Sequence, residues 1–287
     1  MPDRTTTSKT EGSAFAPRTG GDFRPTGRLR VVAWNVAHNP RAWAALDRLE
    51  PDVCLLNEAV VPDGRAGVWS RTGTDGRDGK RRPWTAAVIS KFPVSQITDA
   101  RPRWRQSRRD VPFECSRPGS WAAARVETPF GDVSAVSIYG LLDELSDASV
   151  HRSLSELSPV CDDPMYRGHL VLGGDLNTGT QWSTEPAHNA RDKAVLQRIE
   201  AYGMVDCIKK MRAPGRLEGC KCLEGDACMH VRTRRDPRRP AIPYQTDYLF
   251  VSAKMAKTLR SCEVLASDEW FELSDHAPIV AEFDAWL

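Results

Sequence analysis

At 287 residues, with 40% of positions hydrophobic, the chain is long enough to bury one large core, and no run of 18 apolar residues offers a membrane span. A formal net charge of +2 is too small to imply a polyanionic partner from its sum, so the placement of charge matters more. Eight cysteines in so long a chain, with no basic start leading into an apolar run, exclude a small secreted disulfide scaffold and suit a soluble, cytoplasmic protein with no membrane association.

Residues 1–27 are rich in Thr, Ser, Gly, Arg and Pro and lack an apolar run that would dock them, so a disordered N-terminal tail is expected ahead of one domain over 28–287. Leu29, Val31, Val32, Ala33, Trp34 and Val36 predict a buried strand that stops at Asn39-Pro40. Ala42, Trp43, Ala45, Leu46 and Leu49 recur at helical spacing, and Pro51 closes that helix before a second buried strand, Val53 to Leu56. Further strands are predicted from Trp84 to Ile89, Val94 to Thr98, Ser120 to Thr128 and Val133 to Tyr139, the last two joined as a hairpin. A helix is predicted from Glu144 to Leu157, a strand from His169 to Leu172 and a helix from Asn189 to Tyr202. Strands from Tyr244 to Val251, Ser261 to Leu265 and Pro278 to Phe283 complete the set. Strands outnumber helices and alternate with them, which suits packed sheets flanked by helices, a layered α/β sandwich.

Two arginine clusters stand out: Arg101, Arg103, Trp104, Arg105, Arg108 and Arg109, then Arg232, Arg234, Arg235, Arg238 and Arg239. Charge runs commonly become solvated surface. These also suit contact with a phosphate backbone, with Trp104 available to stack on an unpaired base.

Polar residues gather at the ends of the apolar strands: Asn35 in Trp-Asn, Glu58 in Asn-Glu, Asp175 and Asn177 in Gly-Gly-Asp-Leu-Asn, Asp247 in Thr-Asp-Tyr, and Asp275-His276 in Ser-Asp-His. Each alone is an ordinary turn or cap residue. Their recurrence at strand ends, where loops bring remote residues together on a rigid scaffold, points to a shared site. Phosphodiester hydrolysis needs a divalent cation, a base for the attacking water and a donor to the phosphate oxygens. Hard oxygen ligands suit Mg²⁺, with Mn²⁺ as a substitute; Glu58 is the primary ligand, helped by Asn35 and Asp275. Asp175 then deprotonates water, Asn177 holds water or substrate, and His276 binds the phosphate, with Asp247 fixing and stabilising its imidazolium.

The ordered set Trp34-Asn35, Asn57-Glu58, Gly174-Asp175-Leu176-Asn177, Asp247-Tyr248 and Ser274-Asp275-His276 resembles the endonuclease/exonuclease/phosphatase superfamily over residues 28–287. The resemblance implies a four-layer α/β sandwich of two mostly antiparallel sheets flanked by helices, and a Mg²⁺-dependent phosphoesterase. Two positions depart from the family pattern: Asn57 stands where Gln is common, and Ala37 replaces an acidic residue that some nucleases carry, which weakens a second metal site. Tyr139, in Ser-Ile-Tyr-Gly, resembles the phosphate-contacting Tyr of the exonuclease III and apurinic endonuclease branch, and it also fits a packed aromatic.

Near residues 218–240 lies an insert with Cys220, Cys222, Cys228 and His230 within eleven residues. Three thiolates and an imidazole suit a structural, tetrahedral Zn²⁺ site, although the Cys-x-Cys and Cys-x-His pairs are tighter than usual and a reduced surface loop competes. The expected activity is that of a nuclease, endonuclease or exonuclease, acting on DNA in preference to RNA. A phosphatase or phospholipase acting on a small phosphoester is the alternative on the same fold, and a non-catalytic nucleic-acid-binding domain is the third.

Overall fold

The structure is a computed structural model that describes residues 27–75, 78, 80–102, 111–112, 114–142, 146–181 and 183–285. The expected N-terminal tail, except Gly27, lies outside the described residues, as do Arg103, Trp104, Arg105, Arg108 and Arg109. In chain order the main elements are β1 (Arg28–Asn35), α1 (Arg41–Arg48), β2 (Val53–Ala59), β3 (Gly67–Trp69), β4 (Thr85–Ser90) and β5 (Val94–Gln96). There follow β6 (Trp121–Thr128), β7 (Gly131–Ile138), α2 (Ser146–Asp162), β8 (Leu170–Asp175), α3 (Pro186–Ala201), β9 (Met204–Asp206) and α4 (Cys207–Met211). The last are β10 (Asp247–Ser252), β11 (Leu259–Val264), α5 (Asp268–Phe271) and β12 (Ile279–Asp284).

Two six-stranded sheets form, in the orders β11-β12-β1-β2-β4-β3 and β9-β10-β8-β7-β6-β5. Each is antiparallel except for one parallel pair, β1 with β2 and β7 with β8. The continuous apolar runs arise because the central strands are buried on both faces. Leu29, Val31 and Ala33 of β1 meet Val133, Ala135, Val171, Leu249 and Val251 of the other sheet in the core between the sheets. Val32 and Trp34 turn the other way, onto Ala42, Trp43, Ala45 and Leu46 of α1. Outside the second sheet, Val136, Ile138, Leu172 and Phe250 pack on Val150, Leu154 and Leu157 of α2 and Val195, Leu196 and Ile199 of α3. Helix, sheet, sheet and helix pair make the four layers of an α/β sandwich. Among the described residues, no helix is long and apolar enough to cross a membrane.

Several boundaries differ from expectation for identifiable reasons. Helix α2 runs past Leu157 through Pro159, because Val160 and Cys161 still face the helix-side core and the Pro159 carbonyl accepts the Asp163 amide at 3.0 Å. Helix α3 starts at Pro186 rather than Asn189, with proline in the first turn where its missing N–H leaves nothing unsatisfied. The expected strand at Tyr244 becomes β10 only at Asp247, because the Thr246 and Asp247 amides donate to the Thr233 hydroxyl.

Gly174 sits in β8 at φ 129°, and a Cβ there would collide with the Ile138 carbonyl oxygen and the Asn57 side chain. Gly203 also has positive φ, 80°, but open space around it. Gly174→Ala is therefore predicted to lower unfolding free energy by more than about 2 kcal/mol, and Gly203→Ala by about 1 kcal/mol. Urea denaturation of both variants checks this; equal losses would contradict the packing described.

Candidate active site

Strand ends and strand starts converge at one edge of the sandwich because of pairing direction. Asn35 and Asn57 lie opposite each other at the C-terminal ends of parallel β1 and β2. Asp175, the last residue of β8, pairs with Asp247, the first of antiparallel β10. Tyr139 follows the end of β7, and His276 precedes β12. Side chains distant in the chain thereby meet on rigid supports.

Glu58 occupies a register slip between β2 and β4, with φ 48°, a bulge that re-aims its side chain. The Tyr139 hydroxyl donates to Glu58 Oε1 at 2.9 Å, and the Asn35 amide nitrogen approaches the same oxygen at 3.2 Å. That nitrogen also donates to Asp175 Oδ2 at 2.9 Å, joining Glu58 to the second sheet. The Asn35 side-chain oxygen, Oδ1, accepts the Ala37 amide at 3.0 Å. Burial, then the nearby Glu58 carboxylate, pushes the Tyr139 hydroxyl well above its usual range, so it stays a proton donor.

Asp175 is buried, and Asn177 N–H and the Asn177 side-chain amide donate to it at 2.9 and 3.1 Å. Asn177 also donates to the Gly140 carbonyl at 2.9 Å, in a left-handed conformation with φ 48°. His276 Nδ1 donates to Asp247 Oδ2 at 2.9 Å, and its Nε2 lies 3.7 Å from Asp175 Oδ2 and 3.9 Å from Asp275 Oδ1. Burial pushes the Asp175 carboxyl up to about 7; the His276 imidazolium and the donors on Asn177 and Asn35 oppose that rise without cancelling it. For His276, burial disfavours the charged ring, but Asp247, Asp175 and the Asp247 hydrogen bond together outweigh it and raise the imidazole to about 10. The pocket thus opposes a fixed imidazolium to a carboxyl poised near neutrality.

The Ser-Asp-His and Trp-Asn segments lock to each other. Ser274 Oγ donates to the Asn35 carbonyl at 2.7 Å and accepts the His276 amide at 3.1 Å, while Trp34 Nε1 donates to the His276 carbonyl at 2.8 Å. All seven residues expected at the site, with Tyr139, are accordingly placed at the same edge. Asp275 faces Arg234, whose Nε lies 3.3 Å from Asp275 Oδ2. Arg235 turns to helix α5 instead, 2.5 Å from Asp268 Oδ1 and over the Phe271 ring. Arg101 is exposed on the surface, its amide donating to Asp163.

Three further residues were not singled out as site members from the sequence. His38 Nδ1 lies 3.4 Å from Glu58 Oε2. Thr233 is fully buried, and its hydroxyl accepts the Thr246 and Asp247 amides. Asn57 Oδ1 accepts the Asp175 amide at 2.7 Å, while its nitrogen donates to Ser137 Oγ and the Ile138 carbonyl. Adjacency to Glu58 was the available signal for Asn57; a threonine inside an arginine run carries none.

Asp175, Asp247 and His276 each offer a ligand atom within 4.8 Å of the others, and of the two ring nitrogens Nδ1 is committed to Asp247. Glu58 and Asp275 keep partly exposed carboxylates, 20% and 43% accessible, and an all-oxygen donor set of that kind fits a hard divalent cation.

No curated protein sequence matches the chain. Solved structures share its fold. The 3′ phosphatase NExo from Neisseria, bound to a product DNA hairpin, is 20% identical with a TM-score of 0.62 over 90% of this chain and 100% of its own. An AP endonuclease from Archaeoglobus fulgidus is 15% identical, TM-score 0.57, over 89% and 99%, and AP endonuclease LMAP from Leishmania major is 18% identical, TM-score 0.56, over 95% and 92%. Residues 32–276, a span that runs from β1 through His276, match the model of the Endonuclease/Exonuclease/phosphatase family, and the chain belongs to that family of metal-dependent phosphoester hydrolases.

Proposed function

We propose that the protein is a Mg²⁺-dependent nuclease that hydrolyses the phosphodiester backbone of nucleic acid, DNA in preference to RNA. The observation that carries this is the opposition, inside one buried pocket, of Asp175 and the Asp247-held His276 ring, 3.7 Å apart. Glu58 and Asp275 would hold Mg²⁺, or Mn²⁺ in its place, with Asn35, whose amide nitrogen faces Glu58 and whose side-chain oxygen accepts from Ala37, joining them by turning that oxygen to the cation. The cation, when bound, neutralises charge on the phosphate and on the departing oxygen.

The chain's own residues do the rest. Asp175, raised towards neutrality, accepts a proton from the attacking water. Asn177 holds the Asp175 carboxylate through two donated hydrogen bonds and orients the water beside it. His276, kept as imidazolium, donates through Nε2 to a non-bridging phosphate oxygen as the pentacovalent state forms. The Tyr139 hydroxyl, which donates to Glu58, would turn its proton to the phosphate as a second donor, a neutral one. Nucleic acid is favoured as substrate by Arg234 beside Asp275 and by structural relatives described as AP endonucleases and as a phosphatase bound to a DNA hairpin.

The discriminating experiment is a digestion panel of plasmid, abasic duplex, single-stranded DNA, RNA and small phosphoesters, with and without Mg²⁺. Asp175→Asn and His276→Ala are each predicted to slow cleavage by at least about 100-fold, as for loss of a base or a charge-stabilising donor. Turnover confined to small phosphoesters would replace nuclease by phosphatase. Variants as active as wild type on every substrate would remove these residues from the chemistry.

A second prediction concerns charge alone. Asp247→Asn takes away the charge and the hydrogen bond that, with Asp175, outweigh burial, so His276 should titrate well below about 10. Imidazole NMR titration of wild type and variant without Mg²⁺ checks the sign. An unchanged His276 would show that Asp247 is not what holds its proton.

A further inference from the structure

The insert between α4 and β10 poses a folding problem. Residues 212–246 carry one 3-10 turn, Gly225–Ala227, and the isolated bridges of Arg234 to Tyr244 and to His276 as their described regular structure. A loop that long needs something other than backbone pairing to hold it. Its buried heart is not aliphatic: Cys220, Cys222 and Cys228 cluster there with Leu217 alongside, and His230 is buried beside them.

The donor atoms have a definite geometry. Cys220 Sγ lies 3.8 Å from Cys228 Sγ and 3.7 Å from His230 Nδ1, and Cys228 Sγ lies 3.4 Å from the same nitrogen. With Cys222, all four residues offer a ligand atom within 4.8 Å of the others. A sulfur–sulfur bond needs about 2.05 Å, so the Cys220–Cys228 pair is not one. A tetrahedron with Zn–S of about 2.3 Å and Zn–N of about 2.0 Å has S···S edges of roughly 3.8 Å and S···N edges of roughly 3.5 Å. The observed edges match it. The other nitrogen of His230, Nε2, lies 3.0 Å from the Thr180 hydroxyl, the kind of outer partner that fixes the tautomer and ring direction of a metal-bound imidazole.

We propose that Cys220, Cys222, Cys228 and His230 bind one structural Zn²⁺ per chain, and that this centre staples together the two loops that support the active site. Three soft thiolates and an imidazole select Zn²⁺ over Mg²⁺, and four protein ligands leave no open position for catalysis. On one side of the centre, the ribbon after His230 backs the catalytic group. Thr233 and Arg234 amides donate to the Tyr244 carbonyl at 2.8 and 3.0 Å, the Thr233 carbonyl accepts the Ala277 amide at 2.7 Å, and the Arg235 amide donates to the Asp275 carbonyl at 2.8 Å. On the other side, Thr180 and the Gln181 carbonyl, which accepts the Lys221 amide at 2.9 Å, belong to the loop that follows Asn177. The metal is thus a fold element that reaches Asp275 and Ala277, the residue after His276, through backbone hydrogen bonds, and Asp247 through its amide on the Thr233 hydroxyl.

Elemental analysis of the full chain, purified without chelator and dialysed into metal-free buffer, is expected to give one zinc per chain. Cys220→Ser and Cys228→Ser are expected to retain less than about a tenth of it. Should those variants not fold, Co²⁺-exchanged wild type is expected to show the visible bands of a tetrahedral, thiolate-rich site. Stripping zinc from wild type is expected to speed hydrogen exchange of the Thr233 and Arg234 amides at least tenfold. A folded wild type with no stoichiometric zinc, or variants that keep it, would overturn the site. Zinc removal with no change in those amides would overturn the staple.

Discussion

The Asn57 carboxamide holds the two sheets together at the end of the sandwich where the candidate site residues gather. Its oxygen takes the Asp175 amide from β8, and its nitrogen donates to Ser137 and Ile138 of β7. Ser137 Oγ in turn donates to the Leu56 carbonyl of β2 at 2.8 Å. Elsewhere the sheets meet through side chains such as Leu55, Val88 and Val171, which fix spacing but not angle. Buried polar groups demand partners, and satisfying this set admits one register of sheet upon sheet. The close approach depends on Gly174, which has no side chain to push Asn57 away. From that register follows the reach of Asn35 on one sheet to Asp175 on the other.

Burial then does chemical work. Asp175, Asp247 and His276 are each almost wholly removed from water, and two carboxyl groups around one imidazole cannot all be charged without interacting strongly. The imidazole keeps its proton because Asp247 is hydrogen-bonded to it, and Asp175, farther from the ring, is left to titrate near neutrality. The two titrations are set by placement, with no feature of either side chain requiring it. Glu58 differs in being partly exposed and supported by neutral donors, the setting a cation-binding carboxylate needs.

The sequence made the positions of the longer strands and most of the candidate site legible, because strands buried on both faces write long apolar runs and the polar residues interrupting them stand out. Asn35, Glu58, Asp175, Asn177, Asp247 and His276 are visible for that reason. Trp34 reads as a buried strand residue and Ser274 as a motif neighbour, yet both clamp the His276 loop to β1. Thr233 was hidden, since a hydroxyl capping two amides from a loop leaves no periodic trace. Short strands escaped for a related reason: β3 and β9 have three residues each, too few to show alternation. Helix α2 was cut short at Leu157 because tertiary packing of Val160 and Cys161 outweighs the local cost of Pro159.

The central claim is that water, deprotonated at Asp175 beside a divalent cation, attacks phosphorus. Cleavage of a DNA phosphodiester in ¹⁸O-water with Mg²⁺ tests it most directly, read by mass spectrometry of the products. The account predicts one ¹⁸O in the terminal phosphate and none in the released hydroxyl, with product formation abolished by withholding divalent cation. Label in the sugar hydroxyl, or undiminished cleavage without the cation, would contradict it.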